Sequence, residues 1–156
     1  MSLLEVSGLN FSYDDKKVLE DICFEADRNQ IISILGPNGV GKTTLLKCIC
    51  RMHEASTGSV IVEGDDISRI SSRELARRIA YVPQKTYATQ TTVFDSVLIG
   101  RKPHIDWTMS ERDMQIAWNV MESLGLGDIA MKYVTEISGG EFQKVQIARA
   151  ITQEPS

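Results

Sequence analysis

Alternation of apolar and polar positions opens the chain. Leu4, Val6, Leu9 and Phe11 mark a first strand, Asp14 and Asp15 a turn, and residues 18–26 continue a β-rich section. The run 31–35, Ile-Ile-Ser-Ile-Leu, is compact and apolar, which suits a strand buried on both faces of a parallel sheet. It leads directly into a glycine-rich loop, and 43–52 then reads as a helix. A further strand is expected at 59–63, closed by a turn at Gly64-Asp65-Asp66. Ser71 and Glu74 stand at capping-box spacing and open a short helix to about Ile79. A short strand at 80–82 is stopped by Pro83.

From Thr92 onward the period becomes helical, with helices predicted at about 93–100, 111–124 and 139–153. Ser110 and Asp113 have capping-box spacing at the start of the second. Its positions Met114, Ala117, Met121 and Leu124 fall on one face. The order is thus a β-rich start around a strand–loop–helix unit, followed by a helical section. No internal repeat or low-complexity segment interrupts it.

The length, 156 residues, is that of one ordinary domain, and 42% apolar with 24% charged residues is near the globular average. Seventeen Lys and Arg against twenty-one Asp and Glu give a net charge of -4, which lends no electrostatic support to general nucleic-acid binding. Cys23, Cys48 and Cys50 have no metal-type spacing and read as small core residues in a reducing compartment. No stretch has the roughly 18 apolar residues that span a bilayer, and no signal peptide is apparent. A cytoplasmic location, or one peripheral on the cytoplasmic face of a membrane, is expected.

Residues 36–43, Gly-Pro-Asn-Gly-Val-Gly-Lys-Thr, match G-x-x-x-x-G-K-[ST] in full. Gly36, Gly39 and Gly41 let the backbone wrap with its amides, that of Asn38 among them, turned toward phosphate oxygens. The following helix adds its N-terminal amides. Lys42 is the cation that reaches the β- and γ-phosphates, Thr43 is a hydroxyl ligand for Mg²⁺, and Thr44 can bond a further phosphate oxygen. The loop implies nucleotide binding without choosing among NTPase families.

A second glycine pair makes that choice. In Ile137-Ser138-Gly139-Gly140-Glu141, Ser138 and Glu141 have capping-box spacing. Gly139 and Gly140 each weaken a helix by roughly 1 kcal/mol relative to Ala, so an ordinary capped helix does not account for them. They leave a second anion-binding helix start uncovered. The segment resembles the signature of ATP-binding-cassette (ABC) ATPases, usually Leu-Ser-Gly-Gly-Gln, with Ile137 and Glu141 as mild departures. The resemblance runs from about Leu3 to the last residue.

That resemblance implies an α/β fold: a P-loop NTPase core of ABC ATPase type, with an N-terminal antiparallel β subdomain and a helical subdomain. About 1–84 would be the β-rich phosphate-loop part, about 85–138 the helical subdomain and 138–153 the signature helix. It also implies that Tyr13 stacks on adenine and that Val18 lines the ribose side. Gln84 matches the glutamine that approaches Mg²⁺ and the attacking water, so Lys42 and Gln84 are the catalytic candidates. Two cassettes would pair head to tail, with ATP between Lys42 of one and Ser138, Gly139, Gly140 and Glu141 of the other.

Membrane permease subunits and a substrate-binding protein would be the further partners, with no nucleic acid expected. The stretch 97–104, Val-Leu-Ile-Gly-Arg-Lys-Pro-His, looks like importers of iron-siderophore, haem or cobalamin. The alternatives are a soluble ABC ATPase acting on DNA or ribosomes, or a non-catalytic regulatory nucleotide binder. The strand 60–63 with Asp65 and Asp66 mimics a magnesium-binding Walker B strand, but it precedes the signature, and these acids read as turn residues. The family's own Walker B aspartate and catalytic glutamate would follow Ser156. As written, the chain is therefore expected to bind ATP, to hydrolyse it poorly or not at all, and to expose apolar surface where 31–35 lacks a neighbour. His53 and His104 read as surface or loop residues.

Overall fold

A two-residue turn at Asp14 and Asp15, with Asp14 in the left-handed region (φ 49°), folds the first two strands onto each other. These are β1 (Leu4–Tyr13) and β2 (Lys16–Ala26). The computed structural model describes residues 2–84 and 86–156. It divides into two units, one through Leu75 and one from Ala76.

In the first unit, α1 (Lys42–Ile49) is followed by β3 (Thr57–Val62) and β4 (Asp65–Asp66). One antiparallel sheet has the order β2-β1-β3-β4. Alternate residues of the strands face inward, with a register shift at Gly8 between Val6 and Leu9, so Val6, Leu9, Phe11, Leu19, Val60 and Val62 are buried, as are Leu45, Cys48 and Ile49 of α1. The Asp65–Asp66 pair is strand rather than turn. Glu63 (φ 52°) and Gly64 (φ 86°) already complete a two-residue reversal, which leaves the aspartates paired to Val62 and Ile61.

Two predicted strands are absent. Residues 31–35 and 80–82 carry no strand pairing; Ile31 is 96% and Leu35 90% exposed. Apolar runs announce burial, but a strand exists only by pairing, and no described strand pairs with either segment. The exposed apolar surface expected at 31–35 is present. Cys48 is buried as expected, whereas Cys23 is exposed and its Sγ accepts from the Gly8 amide at 3.1 Å.

The helix α1 ends earlier than the predicted 43–52. Cys50 is its C-cap, and the Arg51 and Met52 amides bond back to the Cys48 and Lys47 carbonyls at 2.9 and 2.8 Å. This pair is a Schellman turn with Arg51 at the left-handed position (φ 51°), where glycine is usual. The strain is offset by the Arg51 guanidinium, which donates to the Ile67 and Ile70 carbonyls and to Ser72 Oγ. A further helix, α2 (Ser72–Arg78), starts at Ser71, whose Oγ accepts from the Glu74 amide at 3.1 Å.

The second unit is helical: α3 (Val93–Leu98), a 3₁₀ turn Ile99–His104, α4 (Glu111–Ser123) and α5 (Gly139–Thr152). Val93, Val97, Ala117, Met121, Leu126, Val145 and Ala148 are its core. On α4 the buried face runs through Asp113, Ala117 and Met121, and Met114 lies outside it, 40% exposed. Asp113 is buried because Arg101 is: the guanidinium, 5% exposed, donates from Nε to Asp113 Oδ1 (3.0 Å) and from Nη1 to the Thr152 carbonyl (2.9 Å) and Glu154 (2.6 Å). Gly100 lets this turn lie directly on the Arg149 carbonyl, where a Cβ would collide. His104 is likewise engaged, its Nε2 2.8 Å from the Gln153 carbonyl.

No described helix is long and apolar enough to cross a membrane.

Candidate functional site

The glycine-rich loop is held open by what α1 lacks. Helices α3, α4 and α5 each begin with a side chain that accepts a first-turn amide: Thr92, Ser110 and Ser138. At α1 the N-cap is Gly41, with no side-chain cap and no acidic residue in the first turn. The first-turn amides of Lys42, Thr43 and Thr44 are therefore available to an anion, with the helix dipole behind them.

Gly41 is required twice over. Its φ is 106°, and a Cβ there would stand 3.0 Å from both Val18 Cγ1 and the Val18 carbonyl oxygen. The same contact sets Val18, half-buried on β2, against the loop. Gly39 is also left-handed (φ 84°) and exposed beside Asn38. The Lys42 ammonium folds back over the loop, donating to the Gly36 and Pro37 carbonyls at 2.7 Å each. An incoming phosphate would replace these neutral acceptors with charged ones, roughly twice as strong. Thr43 is exposed and Thr44 buried.

Magnesium fits this donor set. The described residues hold no group of three or more His, Cys, Asp or Glu that could ligate a metal. A hard cation bound here would use the Thr43 hydroxyl and phosphate oxygens, as Mg²⁺ does when it binds with a nucleotide.

Tyr13 ends β1 and is 45% exposed. Its ring stands perpendicular to Phe11 (centroids 4.8 Å apart) and to His53 (5.6 Å), while His53 stacks on Phe11 at 5.2 Å. Tyr13 Oη lies 2.9 Å from His53 Nε2. His53 lies in a bend after α1, a loop position as expected, but its ring is engaged by Tyr13 and Phe11. Sequence reading missed it because its contacts lie forty residues away with no local pattern. The first unit accordingly sets Val18 against the phosphate loop and groups Tyr13 with Phe11 and His53.

In the second unit Gln84 is exposed in a bend after Pro83. The predicted capping box at α5 is formed. Ser138 Oγ accepts from the Glu141 amide (3.3 Å), and Glu141 Oε2 accepts from the Ser138 amide and hydroxyl at 2.7 Å each. The Ser138 side-chain and backbone bonds, in that order, hold the Glu141 carboxyl below its ordinary range, so it stays anionic. Gly139 and Gly140 have nothing within 4 Å of where a Cβ would be, and neither has a positive φ. Nothing among the described residues demands glycine at either position.

The ABC transporter family model matches residues 19–156. An uncharacterized ABC transporter ATP-binding protein of Methanocaldococcus jannaschii is 46% identical over 155 residues, covering 99% of this chain and 61% of that protein. A phosphonates import ATP-binding protein of Oceanobacillus iheyensis is 39% identical over 166 residues, covering 99% and 65%. A solved ABC transporter, provisionally of metal-chelate type, in an inward-facing conformation superposes with a TM-score of 0.83 at 31% identity, covering 98% of this chain and 56% of that one. The chain thus spans about three fifths of the length of the curated relatives it matches. A family model that runs through both the phosphate loop and the signature, with relatives alike along nearly the whole chain, makes this protein a member of the ABC transporter family.

Proposed function

We propose that this chain is the ATP-binding part of an ABC importer cassette. The observation that carries the reading is the uncapped start of α1 at Gly41, with Lys42 poised over the loop and Val18 against it. Gly36, Asn38, Gly39 and Gly41 supply backbone amides to the phosphates. Lys42 neutralises the β- and γ-phosphates, Thr43 ligates Mg²⁺ and Thr44 bonds a further oxygen. Tyr13 stacks on adenine and Val18 borders the ribose. Gln84 approaches the metal and the attacking water.

Ser138, Gly139, Gly140 and Glu141 serve the nucleotide of a second copy. The open space over both glycines supports this, since a backbone stripped of side chains admits a phosphate closely. Glu141 keeps the cap at the cost of a negative charge nearby. ATP bound between two copies would drive permease subunits that lie in the membrane, with this chain at its cytoplasmic face. About 1–84 would form the phosphate-loop part and 85–138 the helical subdomain.

The solute is proposed to be a metal chelate of the siderophore, haem or cobalamin class. The likeness to a metal-chelate type transporter supports that, and the likeness to a phosphonate importer supports the import direction alone. Deleting the gene in the source organism and measuring uptake tests both. Loss of metal-chelate uptake with phosphonate uptake intact is expected. Unchanged uptake of every solute, together with co-purification on DNA or ribosomes, would overturn the transporter reading.

A further inference from the structure

We infer that His53 is a positioning residue for nucleotide binding: it holds the Tyr13 hydroxyl, and through it the orientation of the ring that receives the base. The inference rests on the reading of Tyr13 as the base-stacking residue and adds the group that prepares it.

A tyrosine at the end of a strand, 45% exposed, would ordinarily sample several rotamers, and ordering it would weaken binding. Here three contacts fix it. Phe11, only 8% exposed, anchors a cluster of three rings, and the Tyr13 ring stands perpendicular to the other two. The 2.9 Å bond to His53 Nε2 then sets the remaining freedom. Either imidazole tautomer satisfies it, because the phenol can donate to a bare nitrogen or accept from an N–H.

His53 is itself held by the helix that carries the phosphate loop. The Schellman turn after α1 bonds the Met52 amide to the Lys47 carbonyl at 2.8 Å, and the His53 amide reaches the same carbonyl at 3.2 Å. Arg51, at the strained position of that turn, ties it to the Ile67 and Ile70 carbonyls. One short helix therefore presents the phosphate grip at its first residue and the base-positioning imidazole just past its last. The helix itself, eight residues at about 1.5 Å each, is about 12 Å long.

The test is a binding cycle on Tyr13→Phe, His53→Phe and the double variant. Two ligands are titrated with Mg²⁺: ATP, and inorganic tripolyphosphate, which has no base. A phenylalanine at position 13 stacks on a base as well as tyrosine does, so its hydroxyl matters only if His53 uses it. Each single variant is expected to weaken ATP about five-fold, the worth of one hydrogen bond. The double variant is expected to be no weaker than either, and tripolyphosphate affinity is expected to stay unchanged throughout.

ATP binding unaffected by both single changes would overturn the inference. So would losses that multiply in the double variant, or an equal loss of tripolyphosphate affinity. If His53→Phe does not fold, Tyr13→Phe decides alone: a five-fold loss supports the inference and wild-type affinity overturns it. Tyr13→Ala separates the two readings. Wild-type ATP affinity in that variant would remove the base-stacking role itself, whereas weak binding there beside a normal Tyr13→Phe would remove only the role of His53.

Discussion

The Arg101 cluster makes a prediction whose size and pH dependence both follow from its bonds. Arg101→Met removes a buried cation that holds Asp113, the Thr152 carbonyl and Glu154. Stripping one partner from a buried ion pair costs about 3–5 kcal/mol. Asp113 keeps its bonds from the Ser110 amide (3.0 Å) and hydroxyl (2.6 Å), so the low end, about 3 kcal/mol, is expected.

The acid dependence belongs mainly to Ser110. The Asp113 carboxyl is lowered from 3.8 to about 2, first by the Ser110 hydroxyl and only later by Arg101. A carboxyl depressed in the folded state stabilises fully above about pH 4. That contribution, about 2 kcal/mol, disappears as the pH falls through about 2. Ser110→Ala should therefore lose stability at pH 7, and its gap from wild type should narrow between pH 4 and pH 2. The Arg101→Met gap should narrow less over the same interval. Urea unfolding followed by circular dichroism at pH 7, 4 and 2.5 measures both. An Arg101→Met protein without acid dependence, beside a Ser110→Ala protein that retains it all, would refute the assignment.

Two other substitutions probe the site's frame. Arg51→Gly relieves a left-handed residue worth about 1 kcal/mol but loses three donor bonds of about 1 kcal/mol each, so urea unfolding should show a net loss of about 2 kcal/mol. Replacing Gly139 and Gly140 together by Ala should stabilise α5 by about 1–2 kcal/mol, because both positions have open space. The same change should abolish ATP-dependent pairing of the chain in sedimentation, while ATP binding at Lys42 persists.

Much of this site was legible in sequence because its chemistry is local. The phosphate loop and the Ser138–Glu141 cap are short-range patterns, and the capping box forms as its spacing predicts. The β1–β2 hairpin was also legible, because the Asp14–Asp15 turn announces it. What failed was non-local. The run 31–35 has the composition of a buried strand, yet strand pairing depends on a neighbour that local sequence cannot supply. The end of α1 was overrun because Arg51 stands where glycine normally signals a stop, and its compensation comes from residues 67–72. Arg101 and His53 gave no warning for the same reason, since their partners lie up to 53 and 42 positions away.

The central claim, that residues 36–44 grip a nucleotide's phosphates, is tested most directly by calorimetric titration of Mg-ATP into the wild-type chain and into Lys42→Ala. Among the described residues the Lys42 ammonium bonds to the Gly36 and Pro37 carbonyls of its own loop, so its removal should leave the thermal melting point nearly unchanged. Wild-type binding that is magnesium-dependent and falls at least ten-fold in the variant is the expected result. Equal binding by a folded Lys42→Ala protein would contradict the account.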